Sequence, residues 1–338
     1  MKKILSLALA LVLVLSMSTV AFATEGEGEE TTTHTDMSTV TLTKEYKLAN
    51  PGTTSPAETF AFSALTCTNV TDAANGVTTN NAPVPTIANV SYTAGEAGGN
   101  NAKKHITITL PTYTSVGIYT YTFTETDGGT AGVTYRSEPI TLVVTVIEQH
   151  GKVRVAAVHT EGKGEAKSGE FNNVYSAGSL SVKKTVTGIM GDQQKEFNVK
   201  VTFNAPEGDT VREAITYTDG DKNETIAGGW TGSKAVEITL KHEETVTFNN
   251  IPYGVTYTVV EDDYTAKENG GYDEASYQFD DNNKKIDSAS DSVTITNNKG
   301  GHVDTGISMD SMPYILMLAV VFMGLFVFFS KKRMMREN

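Results

Sequence analysis

The stretch Ser179-Leu180-Ser181-Val182-Lys183-Lys184-Thr185-Val186-Thr187-Gly188 decides how the chain is read. Apolar and polar residues alternate with period two, several are β-branched, and a glycine closes the run, so it predicts a half-buried strand. Side chains of a strand alternate between faces. Lys184 therefore falls on the face of Leu180, Val182 and Val186, where an apolar residue is expected. The same anomaly occurs earlier in Val40-Thr41-Leu42-Thr43-Lys44, where Lys44 shares its face with Val40, Leu42 and Tyr46.

Two further residues repeat in the same order after each lysine. Tyr121-Thr122-Phe123-Thr124-Glu125 and Tyr257-Thr258-Val259-Val260-Glu261 place a glutamate in phase with apolar neighbours. Phe171-Asn172-Asn173 and Ile295-Thr296-Asn297-Asn298 close the two halves, with Asn173 and Asn297 in phase with Phe171 and Ile295. Each half thus has a lysine, a glutamate and an asparagine on faces expected to turn inward. An unpaired charge inside a protein costs several kcal/mol, and burial drives both lysine and glutamate toward their neutral forms. A neutral amine is a nucleophile, and a protonated carboxyl can polarise an amide. An amine held against an asparagine Cγ beside such a carboxyl can condense with it, releasing ammonia and joining the first and last strands of a domain.

Outside the chain ends, runs at Thr39–Lys44, Thr59–Ala64, His105–Leu110, Gly117–Glu125, Pro139–Ile147 and Lys152–Val158 read as strands of one domain. Runs at Ser179–Val186, Phe197–Phe203, Val236–Leu240, Glu244–Phe248, Val255–Glu261 and Ser292–Thr296 read as strands of a second. Many short strands separated by turn signals such as Asn75-Gly76 and Asp127-Gly128-Gly129 indicate an all-β sandwich or barrel. A short linker near Val174–Gly178 makes end-to-end stacking the expectation.

The ends are of another kind. Lys2 and Lys3, an apolar stretch from Ile4 to Leu15 and the small-x-small site Ala21-Phe22-Ala23 form a secretory signal peptide over residues 1–23. An acidic, threonine-rich leader follows over residues 24–37. At the other end the uncharged run Pro313–Phe329 precedes a basic tail, Lys331-Lys332-Arg333-Met334-Met335-Arg336, which predicts a membrane helix over 313–330 with residues 331–338 cytoplasmic. Just upstream, His302-Val303-Asp304-Thr305-Gly306 with this span and tail resembles a cell-wall sorting signal. That resemblance implies cleavage by a sortase between Thr305 and Gly306, with Thr305 held as a thioester until an amine takes it. His302 and Val303 depart from the usual Leu-Pro-x before Thr-Gly, and against the Val-Pro-Thr-Gly pattern of some pilins only Asp304 departs, standing where Pro is expected.

Composition narrows the field. The net charge is −13, and six of the 27 basic residues lie in the two end segments, so the exported part is more acidic still. Such a surface repels nucleic acid, which is excluded as a partner. Cys67 is the single cysteine, so an exported chain has no internal disulfide to reinforce it. Cys67 has no His-Asp framework, and His34, His105, His150, His159, His242 and His302 lack metal spacing. Asn69-Val70-Thr71, Asn89-Val90-Ser91 and Asn223-Glu224-Thr225 match the glycosylation pattern without a context that uses it. Asp280-Asp281-Asn282-Asn283 lacks the glycine and terminal glutamate of a calcium loop, and Trp230 is a loop aromatic. No cofactor and no metal is expected.

The ordered lysine, glutamate and asparagine, with Gly117-Ile118-Tyr119-Thr120-Tyr121 and Val293-Thr294-Ile295-Thr296-Asn297 as further matching text, resemble streptococcal-type backbone pilins assembled by sortase. The resemblance spans nearly the whole exported chain. It implies two tandem immunoglobulin-like (CnaB-like) β-sandwich domains, 38–176 and 177–299, followed by a sorting-signal linker over 300–312. It implies Lys44–Asn173 and Lys184–Asn297 isopeptide crosslinks promoted by Glu125 and Glu261. It also implies an acceptor lysine late in the first domain for Thr305 of another subunit. Lys167 and Lys163 are the candidates, with Lys167 ranked first because it lies closer to the domain end; the Tyr-Pro-Lys acceptor motif of such pilins is absent. The partners implied are sortase, identical neighbouring subunits, cell-wall peptidoglycan and a host ligand. The product is a cell-surface structural protein and not an enzyme, since each triad acts once on itself. A monomeric wall-anchored adhesin with the same bonds is the alternative.

Overall fold

The computed structural model describes residues 36–162, 170–301 and 312–334. The expected signal peptide, most of the expected acidic leader, the candidate acceptors Lys163 and Lys167 and the expected sorting motif at Thr305-Gly306 lie outside the described residues.

The first half packs a five-stranded sheet against a four-stranded one. At the centre of the first sheet lies Thr39–Leu48, between Lys103–Thr109 and Glu170–Tyr175. The second sheet runs in the order Lys152–Glu161, Ile140–Gln149, Gly117–Phe123, Thr66–Thr71. A short third sheet of Val90–Tyr92, Glu58–Phe62 and Glu125–Thr126 closes one side. Ile140–Gln149 shows why the sandwich forms. Ile140, Leu142, Val144 and Val146 face inward and are buried, while the residues between them are half-exposed. Tyr46, Phe60 and Tyr92 meet edge-to-face in the middle of this core.

The second half repeats the plan with a six-stranded sheet centred on Ala177–Thr187 and a three-stranded sheet of Ser233–Leu240, Phe197–Asn204 and Thr256–Glu261. Its core is separate from the first, built around Leu180, Val182, Phe203, Phe248, Val293 and Ile295. Between the strands Glu170–Tyr175 and Ala177–Thr187 only Ser176 remains, a tighter connection than the five-residue linker expected.

In both halves the first and last strands are parallel neighbours, Thr39–Leu48 with Glu170–Tyr175 and Ala177–Thr187 with Ser290–Asn298. Parallel strands cannot be joined by a hairpin, so each half's whole chain intervenes between its two central strands.

The sequence missed strands whose patterns carry no alternation. Lys222–Ile226 exposes its first four residues and pairs only with its hairpin partner Ile215–Asp219, so neither face is uniformly apolar. Thr66–Thr71 has a register shift between Cys67 and Asn69 that breaks its period. The expected run to Glu125 divides at Thr124, so that Glu125 belongs to the short third sheet.

One helix, Met312–Met334, covers the apolar C-terminal run. Its side chains from Leu316 to Phe329 are exposed. At 1.5 Å per residue the 17 uncharged residues Pro313–Phe329 reach about 26 Å, short of a hydrocarbon core of about 30 Å. Among the described residues no helix is long and apolar enough to cross a membrane.

Core position should decide the cost of a substitution. Phe248 is fully buried against Phe203 and Tyr217, so Phe248→Ala should lower unfolding stability by about 3–5 kcal/mol in denaturant titrations. Val260, 57% exposed on the outer face of Thr256–Glu261, should tolerate alanine within about 0.5 kcal/mol.

Candidate functional site

Register brings lysine and asparagine together identically in the two halves. Lys44 pairs with Phe171 and Lys184 with Ile295 across the parallel strands. In each case the asparagine, Asn173 or Asn297, is two residues beyond that partner. Positions two apart share a face, so lysine and asparagine side chains emerge on the same inward side of adjacent strands. The glutamate arrives from across the sandwich. Glu261 ends Thr256–Glu261 in the opposing sheet, and Glu125 opens the short strand Glu125–Thr126.

All six residues are buried. In the first half Lys44 Nζ donates to both Asn173 Oδ1 and Glu125 Oε1. Asn173 Nδ2 donates to Glu125 Oε2 at 3.0 Å and to the Thr134 carbonyl at 2.9 Å. The Arg136 amide donates to the same Glu125 Oε2 at 2.7 Å. One carboxylate therefore bridges the amine and the amide nitrogen, with its orientation set by backbone. Lys44 Nζ also lies 4.2 Å from the Phe60 ring centroid.

The second triad is built more sparely. Lys184 Nζ donates to Asn297 Oδ1 at 2.5 Å and lies 3.0 Å from Glu261 Oε1. That second contact is an ion pair without hydrogen-bond alignment, and neither Glu261 oxygen has another partner. Phe197 places its ring 4.3 Å from Lys184 Nζ. The aromatic faces of Phe60 and Phe197 thus occupy equivalent roles, excluding water from the amine.

Burial lowers the pKa of Lys44, opposed by the attraction of Glu125 and aided by the charge of Arg136. Burial likewise lowers that of Lys184, opposed by Glu261. Desolvation is the larger effect at both sites, so each amine is shifted toward its neutral, nucleophilic form.

The structure adds residues that no sequence pattern marks. The Thr134 carbonyl and Arg136 amide, which fix Asn173 and Glu125, are backbone groups, and their side-chain identities hold no signal. Phe60 and Phe197 are ordinary core aromatics in the pattern. Among the described residues no group of His, Cys, Asp or Glu is arranged to hold a metal. Cys67 is buried, with its thiol near the Asn69 carbonyl at 3.6 Å.

Removing one member of the second triad should be costlier than removing both charges. In an Asn297→Ala background, Glu261→Ala leaves Lys184 buried without its counter-charge and should cost about 3–5 kcal/mol in denaturant unfolding. The Lys184→Met/Glu261→Leu pair in the same background should recover most of that loss.

Residues 40–176 match the family described as the Spy0128-like isopeptide containing domain. Residues 178–299 match a family described only as a domain of unknown function. A pilin of Streptococcus pyogenes serotype M1 is 29% identical over 312 residues, spanning 87% of this chain and 90% of the relative. The pilus tip adhesin Cpa of Streptococcus pyogenes is 32% identical over 94 residues, but these span 27% of this chain and 13% of the adhesin. Among solved structures, the major pilin T3.2 from Streptococcus pyogenes serotype GAS13637 superposes with a TM-score of 0.53 at 22% identity, covering 78% of this chain and 99% of that one. A second Streptococcus pyogenes major pilin gives 0.51 at 24% identity, covering 79% and 100%.

Proposed function

We propose that this chain, whose residues 40–176 match the Spy0128-like isopeptide containing domain, is the repeating structural subunit of a cell-surface pilus, and that each of its two halves crosslinks itself. The observation on which the reading rests is the repeated burial of a lysine against an asparagine amide beside a glutamate.

The chemistry follows from the contacts. The neutral Lys44 amine attacks Cγ of Asn173, and a carbon–nitrogen bond forms. Glu125 touches the amine through Oε1 and the amide nitrogen through Oε2, so it can accept the proton the amine loses and deliver it to the departing nitrogen. The old Cγ–Nδ2 bond breaks, ammonia leaves, and Glu125 returns to its starting state. Lys184 and Asn297 condense likewise, with Glu261, 3.0 Å from Lys184 Nζ, taking the proton of the attacking amine and turning to the departing nitrogen to release it as ammonia. Each triad turns over once, so the chain is a substrate of itself and not an enzyme.

The energetic return is large because the joined residues are far apart in sequence, 129 positions in the first half and 113 in the second. By the loop-closure argument used for disulfides, a crosslink over about 100 residues removes unfolded-state entropy worth roughly 5 kcal/mol.

Assembly completes the reading. The apolar helix and basic tail would retain the exported chain at the membrane, sortase would cut between Thr305 and Gly306, and Thr305 would pass to Lys167 or Lys163 of the next subunit or to cell-wall peptide. The support is the arrangement of motif, apolar run and basic tail in the sequence, together with the likeness to pilins over most of the chain.

Intact mass of the exported chain, residues 24–305, tests the self-crosslinking. Each bond should remove about 17 Da, the mass of ammonia. Lys44→Ala or Glu261→Ala should each leave a single deficit, and an unmodified mass in folded protein would refute the bonds. Surface extracts on a denaturing gel test assembly. A ladder abolished by Thr305→Ala is expected for a pilus subunit, and a single band would favour the wall-anchored monomeric adhesin.

A further inference from the structure

The loop Asp127–Gly132 leaves the first half and is gripped by the second. Thr210 N donates to the Gly129 carbonyl at 2.8 Å, and Ala131 N donates to the Thr210 carbonyl at 3.0 Å, forming a parallel bridge between the halves. Arg212 donates through Nε to Thr130 Oγ1 at 2.7 Å and through a terminal nitrogen to the Gly128 carbonyl at 3.1 Å. Thr130 in turn donates to the buried carboxylate of Glu58 at 2.5 Å. Ala131, 1% exposed, belongs to the hydrophobic core of the second half. Gly132 has φ +78°, and a Cβ there would lie 2.5 Å from the Ser176 carbonyl oxygen, so only glycine lets the loop pass the connection.

This loop is flanked on both sides by parts of the first triad. Glu125 precedes it by two residues. Thr134, whose carbonyl holds Asn173 Nδ2, follows it by two, and Arg136, whose amide holds Glu125, by four. The segment that orients both the carboxylate and the amide is therefore anchored at its middle by the other half of the molecule. The second triad has no such dependence. Its positioning contacts, from Asn297, Glu261 and the ring of Phe197, all come from residues of the second half.

We propose that docking of the second half onto loop 127–132 positions the first triad, so that the Lys44–Asn173 bond closes after the second half has folded, while the Lys184–Asn297 bond closes without help from the first. Arg212, Thr130 and Ala131 are positioning residues, since none touches the reacting atoms. This rests on the self-crosslinking reading above. Misplacement of a reacting group by an ångström can cost up to a hundred-fold in rate, so release of the loop is felt directly in the first bond. A chain exported from its N-terminus would then keep its leading half open until the trailing half had emerged and docked.

The test follows both bonds in the same full-length exported chain. Pulse-labelled protein is sampled over time, digested, and the two branched peptides are quantified by mass. In Arg212→Ala and in Arg212→Ala/Ala131→Asp the half-time of the first bond should lengthen by about ten-fold or more, with the second bond unchanged. Closure of the second bond in the same molecules shows that the second half has folded. A third variant, Phe248→Asp, places a charge in the second core, and here the first bond should stay open. First-bond closure within about two-fold of the unsubstituted rate in these variants would overturn the proposal. Equal slowing of both bonds in the Arg212 variants would also overturn it, because the defect would then not be specific to the loop. Absence of both bonds from the unsubstituted chain would instead refute the underlying chemistry.

Discussion

The parallel pairing of the first and last strands is the constraint on which the rest of each half depends. It places residues 129 and 113 positions apart on adjacent strands with a fixed two-residue offset between lysine partner and asparagine. Such a pairing has no local turn to enforce it, and its loop-closure cost must be met by tertiary packing. The apolar residues sharing those faces provide the packing, with Leu42 and Tyr46 in one half and Leu180, Val182 and Val186 in the other. Tension entering at the first strand of a half and leaving through its last acts along two neighbouring strands, and a covalent bridge between them would bypass everything folded in between.

Burying the polar residues is what makes the pairing chemically consequential. A lysine on the core face pays a desolvation penalty that its glutamate offsets only in part, which is why burial leads in lowering the pKa of both Lys44 and Lys184. Condensation would replace an expensive buried amine with an uncharged amide. The two halves reach this arrangement by different routes. Glu125 is held by the Arg136 amide and by Asn173, whereas Glu261 faces Lys184 alone. The better supported carboxylate is also the one whose support runs through the junction between the halves.

Much of this was legible in the sequence, and particular residues show why. Strand phase alone put Lys44, Lys184, Glu125, Glu261, Asn173 and Asn297 on inward faces, because a period-two pattern fixes the face once the apolar residues are known. Asn173 has the weakest pattern of these, since no alternating run leads into Phe171; its strand, Glu170–Tyr175, is held by pairing to Thr39–Leu48. Lys222–Ile226 was illegible because only Ile226 of its five residues is buried, too little to show a period. The junction was illegible for another reason: it is made by the Arg212 guanidinium, the Thr130 hydroxyl, the small side chain of Ala131 and backbone groups of Gly128, Gly129 and Thr210, and such isolated contacts leave no periodic trace in the sequence.

The most direct measurement of the central claim is an atomic-resolution crystal structure of residues 24–305, read at the two lysines. The account predicts continuous density from Lys44 Nζ to Asn173 Cγ and from Lys184 Nζ to Asn297 Cγ at an amide carbon–nitrogen length of about 1.33 Å. Separate side chains at hydrogen-bonding distance, about 2.7 Å or more between nitrogen and oxygen with Nδ2 still present, would contradict it.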